Sequence, residues 1–238
     1  GDAVDPDGQA EGRPRRVRYQ ETRFSDYRQE VGEAPRATHP HANAATSTVA
    51  LDHNLAGSIS VPAEGDYVLF LGCGQARPGD LEHQARDKKW GVVNVDLKRG
   101  YAYNLLNPGV VAELIGIARD KRCRCVVVSI PCGTWSALRY VKPGPDVLRR
   151  LPHHAKGIPR DDGSLPRKVI QANSMLDNVI SVVRAGHQHG AGAVFESAVS
   201  RDAASPHAIS GREDHASMWT YPALITLAAD LGMDGVAF

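Results

Sequence analysis

The chain carries no large charge of one sign: 28 Lys and Arg stand against 27 Asp and Glu, a net charge of +1. Any grip on nucleic acid must therefore come from a local patch, since the overall field supplies none. Cysteine is scarce, with four in 238 residues, which excludes a disulfide framework. Cys123 and Cys125 stand one residue apart on a predicted strand and so should share a face. With no CxxC or His-x-x-x-His pairing beside them they read as reduced packing thiols, with zinc the lesser alternative. Aromatics make up only 6%, so the core must be mainly aliphatic. No apolar run is long enough to span a membrane, and the N-terminus lacks a signal-type apolar region. The expectation is an intracellular protein without membrane contact, nucleus and cytoplasm not being distinguished.

What is present divides the chain in two. Residues 1–65 are rich in Gly, Pro, Ala and charged residues, with no sustained apolar period. Such a segment buries too little surface to offset its ordering entropy, and reads as an irregular N-terminal arm. Its basic cluster Arg13-Pro-Arg-Arg-Val-Arg18, followed by Tyr19, Phe24 and Tyr27, reads either as a phosphate-gripping arm or as a solvated one. The second reading fits the acidic balance of the arm and lets it pack across the domain or a protein partner.

From Asp66 to Phe238 apolar runs alternate with helical periods, which predicts an α/β domain with a doubly wound, mostly parallel sheet. Asp66 to Gly72 reads as a strand and Cys73 to Arg77 as a turn, with Pro78 opening a helix to about Lys89. Gly91 to Leu97 is the next strand. Asp96 falls roughly 20 residues beyond the glycine turn, where a nucleotide-binding sheet places the acid that takes ribose hydroxyls. The alternative is a helix cap or turn residue, and the two segments together favour the nucleoside reading. Pro108 to Lys121 is an amphipathic helix. The link between Leu97 and Tyr103 is too short for a full helix, so one sheet face should be thinly covered.

The chain is organised around Val126-Val-Val-Ser-Ile-Pro-Cys-Gly-Thr-Trp-Ser136. Val126 to Ile130 reads as a buried parallel strand that stops at Pro131 and delivers Cys132 to its carboxyl end. Ligands bind at that end of open α/β sheets. Cys132 is thus a candidate nucleophile, the alternative being a packed thiol. Arg139, Lys142, Arg149, Arg150, His153, His154, Lys156 and Arg160 stud the Pro-rich loop that follows, which suits an anionic substrate. The adjacent histidines lack carboxylate or thiol companions, so no metal is expected. Pro166 opens a long helix ended by Gly186, in which Asn173 could face the site or solvent. Ala193 to Val199 is a further strand containing Glu196, read as an acid–base group or as a solvated strand end. Ser200 to His215 is a polar insertion, Tyr221 to Leu231 a closing helix, and Val236 to Phe238 the start of a strand.

Taken in order, Phe70-Leu-Gly-Cys-Gly74, Val95-Asp96-Leu97, Asn104-Leu105-Leu106, Ile130-Pro-Cys-Gly-Thr-Trp-Ser136 and Phe195-Glu196-Ser197 resemble the motifs of the cytosine-5 methyltransferases. With the Pro-rich loop and Ser217-Met-Trp219, the stretch looks still more like the methyltransferase-like domains of protist and algal mobile-element polyproteins. The resemblance covers about Asp66 to Phe238 and implies a Rossmann-like fold of the S-adenosylmethionine methyltransferase type.

It implies that Cys132 would add to C6 of a flipped cytosine, with Glu196 at N3 and Arg139 favouring the thiolate. Phe70, Gly72, Gly74, Asp96, Leu97, Asn104, Leu105 and Pro131 would hold S-adenosyl-L-methionine. Nucleic acid would be the partner, DNA ahead of RNA. Ile130 stands in place of a proline, Asn104 in place of an acid, and Ser197-Ala198 in place of Asn-Val or Asn-Pro. No target-recognition segment is recognised. Two alternatives stay open: the same fold as an inactive structural or interaction module, and another enzyme that uses Cys132 on a nucleotide-binding sheet.

Overall fold

The computed structural model describes residues 59–75, 79–100 and 103–235. The basic cluster of the arm, Arg77, Pro78, Tyr101 and Val236–Phe238 lie outside the described residues. Four strands, β1 (Tyr67–Leu71), β2 (Gly91–Val95), β3 (Cys123–Val128) and β4 (Gly192–Phe195), form one sheet in the order β2-β1-β3-β4. Every pairing is parallel. The helices are α1 (Leu81–Asp87), α2 (Pro108–Ala118), α3 (Arg167–His187) and α4 (Pro222–Leu231). This is an α/β fold.

The aliphatic runs explain the sheet. Leu69 pairs with Val93 and Val126, and Leu71 with Val95 and Val128, so one face is a continuous apolar layer. All six are buried, in one core with Leu114 of α2, Leu176 and Val183 of α3, and Leu224 and Leu227 of α4. Each fully buried leucine contributes about 1.5–3 kcal/mol relative to exposure. The chain steps from β1 to β2 in one direction and returns past β1 to β3. Right-handed crossovers then put α1 on one face and α2 and α3 on the other. The α1 face is the thinner: Phe70 and Val127 are only half-buried there, and Val194 is 49% exposed. The short link after Leu97 supplies no second helix to cover it.

Element ends differ from the sequence reading, each for a local reason. The first helix starts at Leu81, capped by Asp80, whose side chain accepts from the His83 N–H. β2 stops at Val95 because Asp96 caps a 3₁₀ turn over Leu97–Arg99. α2 ends at Ala118, three residues early. β3 starts at Cys123 and ends at Val128, so Ser129 and Ile130 belong to the loop. β4 ends at Phe195, leaving Glu196 outside it.

Cys123 and Cys125 do not share a face. A register shift between Tyr67 and Val68 sets Cys123 opposite the first and Cys125 opposite the second, on opposite sides of the sheet. Of the expected arm, Ile59–Gly65 packs on the domain. Ile59 is buried, its N–H donates to Glu113 Oε1 at 2.6 Å, and Arg122 Nη1 donates to the Pro62 and Ala63 carbonyls.

Candidate active site at the carboxyl edge of the sheet

The loops that leave β1, β2, β3 and β4 carry Gly72–Gly74, Asp96, Cys132 and Glu196 in turn, at one edge of the sheet. The chain leaves β1 for β2 on one side and later enters β3 on the other. The junction of β1 and β3 is therefore a topological switch point, where open α/β sheets form their ligand crevice.

The glycine turn is fixed from both flanks. Gly72 donates its N–H to the Val95 carbonyl at 2.8 Å. Its φ of +75° is one that L side chains rarely adopt, and a Cβ there would lie 2.6 Å from the Ser129 carbonyl oxygen. Gly72 thus lets the first turn touch the backbone leading to Cys132. Gly74 donates its N–H to Asp96 Oδ2 at 2.9 Å, and Asp96 Oδ1 accepts from the Lys98 N–H at 2.8 Å. Asp96 is therefore both a cap and the latch of the glycine turn. Arg99 Nε donates to the Gly74 carbonyl at 2.9 Å, its guanidinium lying 3.6 Å from Glu82 and 3.8 Å from Asp80.

The other residues expected at a cofactor site are spread around this edge. Phe70 is half-buried on β1 and Leu97 is 53% exposed. Asn104 Oδ1 accepts from the Leu106 N–H at 3.0 Å, closing a turn. Leu105 is buried, and its carbonyl accepts from Asn178 of α3. Pro131 is exposed.

Cys132 is half-buried on a braced loop. Its carbonyl accepts from the Trp135 N–H at 2.8 Å, which makes a tight turn. Trp135 is buried, edge-on to Tyr221, and its carbonyl meets His215 Nε2 at 2.8 Å. His215 Nδ1 accepts from the Arg201 N–H at 3.0 Å, so the hydrogen of this neutral ring is assigned to Nε2. Burial lowers the His215 pKa, which keeps it neutral. Arg139 is tied to the loop's own backbone, donating to the Gly133 carbonyl at 2.6 Å and the Asp146 carbonyl at 2.8 Å.

The basic loop is not one exposed surface. Arg149 is 2% exposed and lies under the Cys132 loop. It donates to Thr134 Oγ1, Asn173 Oδ1 and the Ala155 carbonyl. Arg150 pairs with Asp214. Lys142, His153, Lys156 and Arg160 stay exposed. Glu196 is exposed at the end of β4, with its N–H donating to the Val128 carbonyl at 2.8 Å, so its carboxylate pays no burial cost. The Ser200–His215 insertion is packed as well. Ser200, Asp202, Ser205 and His215 are buried, with Ser200 donating to Asp202 and Ser205 to the Ser200 carbonyl.

Of the other three thiols, Cys123 is buried and Cys73 and Cys125 are half-buried. Burial raises the pKa of Cys73 and Cys125 and pushes Cys123 up to about 11. Among the described residues no group of His, Cys, Asp and Glu could hold a metal ion. Nor is any described helix long and apolar enough to cross a membrane. An open cavity of about 400 Å³ runs along the outer edge of β2, lined by Glu82, Asn94, Arg99 and Tyr103 among others. β1 lies between that edge and β3, whose carboxyl end leads to Cys132.

Sequence reasoning missed the bracing set of Arg149, Trp135 and His215. The signal was slight: an arginine behind Val147-Leu148, and a helical Asn173 with no evident partner. In comparisons with known proteins, no family model, curated protein or solved structure matches the chain.

Proposed function

We propose that the domain is an S-adenosylmethionine-dependent methyltransferase of Rossmann-like fold, with cytosine C5 of a nucleic acid as acceptor and DNA ahead of RNA. The observation that carries this is the sequential placing of the glycine turn, Asp96, Cys132 and Glu196 on the carboxyl ends of four parallel strands around one switch point. Their order matches the order of motifs in the family the sequence resembles.

The residues present fit the cofactor. Each oxygen of Asp96 accepts one backbone N–H and, as a carboxylate oxygen, keeps a second lone pair for a ribose hydroxyl. Leu97 offers an exposed apolar surface to a purine, and Phe70 on β1 and the exposed Pro131 after β3 belong to the two strands that meet at the switch point. When bound, S-adenosylmethionine supplies an electrophilic methyl group. The protein's own part begins with the Cys132 thiolate, which adds to C6 of an extruded cytosine. The S–C6 bond forms, and the displaced π electrons make C5 nucleophilic enough that it would take the methyl group, the cofactor's S–CH3 bond breaking and S-adenosylhomocysteine being left. Glu196 holds a proton at N3 and stabilises the charge developing on the ring. Loss of the C5 proton with expulsion of the thiolate restores the aromatic ring. Lys142, Lys156 and Arg160 offer exposed cations to phosphates.

One observation favours a second reading, in which the same fold serves as a non-catalytic module. The Gly74 N–H and both Asp96 oxygens are engaged within the chain, and Arg99 holds the Gly74 carbonyl.

Covalent trapping separates the two. A duplex carrying 5-fluorocytosine, incubated with the protein and the cofactor, should give a denaturation-resistant adduct that Cys132→Ser abolishes. Glu196→Gln should slow its formation by about 10²–10⁴-fold. No adduct with folded wild-type protein, or an adduct that survives Cys132→Ser, would contradict the enzyme reading.

A further inference from the structure

Most paired arginines of the domain lie against carboxylates: Arg86 on Glu82 at 2.8 Å, Arg122 on Asp120 at 2.7 Å, Arg124 on Asp66 and Arg184 on Asp230 at 2.9 Å. Arg149 is built differently. It is 2% exposed, yet every hydrogen-bond partner it has among the described residues is neutral. Thr134 Oγ1 takes Nε at 3.3 Å and Nη2 at 3.2 Å, Asn173 Oδ1 takes Nη2 at 2.8 Å, and the Ala155 carbonyl takes Nη1 at 2.8 Å. The guanidinium carbon lies 4.1 Å from the centre of the Trp135 ring, a cation–π contact. Burying a cation without a counter-ion is costly, so its neighbourhood stays electropositive. Burial pushes Arg149 down to about 10, still far above neutral pH, so the side chain is charged. Arg139, on the same loop, also meets only carbonyl oxygens.

We propose that Arg149 is a positioning residue for the Cys132 loop and sets its electrostatic field. It ties Thr134 and Trp135 to α3 and keeps an uncompensated positive charge beneath the loop, so that a negatively charged group is drawn toward Cys132. This deepens, and rests on, the reading of Cys132 as the reacting thiol. The anionic group it suits is a phosphodiester flanking the target base. The Arg149 guanidinium lies 3.2 Å from the hydroxyl of Thr134, two residues from Cys132 on the same tight turn, and a buried charge is screened less than an exposed one.

The test compares alkylation of Cys132, in the full chain, by anionic iodoacetate and neutral iodoacetamide, with the modified peptide located by mass mapping. In both reactions the sulfur displaces iodide: an S–C bond forms, a C–I bond breaks and the thiol proton goes to buffer. The ratio of the two rates therefore isolates the charge of the reagent. In wild type the ratio should exceed that of the uncharged thiol 2-mercaptoethanol under the same conditions. Arg149→Met should lower it about three- to tenfold, while Arg149→Lys should keep it.

An unchanged ratio in Arg149→Met overturns the proposal, as does a rise in both rates together, the mark of a merely structural clamp. Should Arg149→Met fail to fold, the wild-type comparison decides: a ratio no higher than that of 2-mercaptoethanol overturns it. Cytosine trapping with an unchanged ratio would leave Cys132 as nucleophile and remove Arg149's role. A lowered ratio without trapping would leave the field in place and remove the methyltransferase reading.

Discussion

His215 joins the packed insertion to the Cys132 loop through both ring nitrogens, one accepting from the Arg201 N–H and the other donating to the Trp135 carbonyl. Desolvation lowers its pKa in the folded state, with Asp202 opposing and Arg212 and Arg201 reinforcing. The unfolded chain then binds the extra proton more readily, starting near the ordinary histidine value of about 6.5. This contribution to stability is complete above about pH 6.5 and is lost as pH falls through the lowered folded value. Asp120, Asp162 and Glu213 also have lowered values, but they titrate in the more acidic carboxylate window. Melting temperature should therefore be level from about pH 6.5 to about pH 8, below the range where the buried thiols begin to titrate in the unfolded chain. It should fall below about pH 6.5, and His215→Gln should flatten the upper part of that fall. At pH 7.5, His215→Ala should cost about 1–3 kcal/mol in urea denaturation, because it orphans the buried Trp135 carbonyl and the half-buried Arg201 N–H. An unaltered pH profile in His215→Gln would show that the ring carries no such linkage.

At the scale of elements, the turns after β1 and β3 are interlocked through backbone. Gly72 can hold a φ of +75° and lie against Ser129, where a Cβ would come 2.6 Å from the carbonyl oxygen. Gly133, one residue past Cys132, has open space where a Cβ would go. Gly72→Ala should therefore destabilise the fold by about 1–3 kcal/mol, from left-handed strain plus displaced backbone. Gly133→Ala should cost much less. Equal midpoints for the two variants in urea unfolding would contradict the interlock.

These elements also mark what the sequence could and could not reveal. Tyr67–Leu71 and Val126–Val128 were legible because a strand buried in a parallel sheet reads as an apolar run. The boundaries of α1 and β2 were less legible: they fall at Asp80 and Asp96, where a side-chain hydrogen bond to the backbone sets the exact residue. The bulge that separates Cys123 from Cys125 leaves no trace in residue type.

For the whole molecule, strand order is what brings four distant segments to one edge. The sequence named the glycine turn, Asp96, Cys132 and Glu196, since each follows an apolar run. It grouped Arg149 with the other basic residues of a loop suited to an anionic substrate and did not single it out, because its burial depends on Thr134, 15 residues back, and Asn173, 24 residues on. Such contacts exist only once α3 has packed behind the loop. The half-exposed α1 face, with Val194 49% exposed, likewise follows from topology.

The central claim is that the crevice at the β1–β3 switch point takes a nucleoside cofactor. Calorimetric titration of the wild-type chain with S-adenosylmethionine, beside Leu97→Glu, tests it most directly. Leu97 is 53% exposed and outside the core, so the variant leaves the fold intact. The account predicts saturable one-to-one binding that Leu97→Glu weakens by about tenfold, or about 1.4 kcal/mol. No binding by folded wild-type protein at about 1 mM ligand, the level that reads a 4.1 kcal/mol interaction, would contradict it.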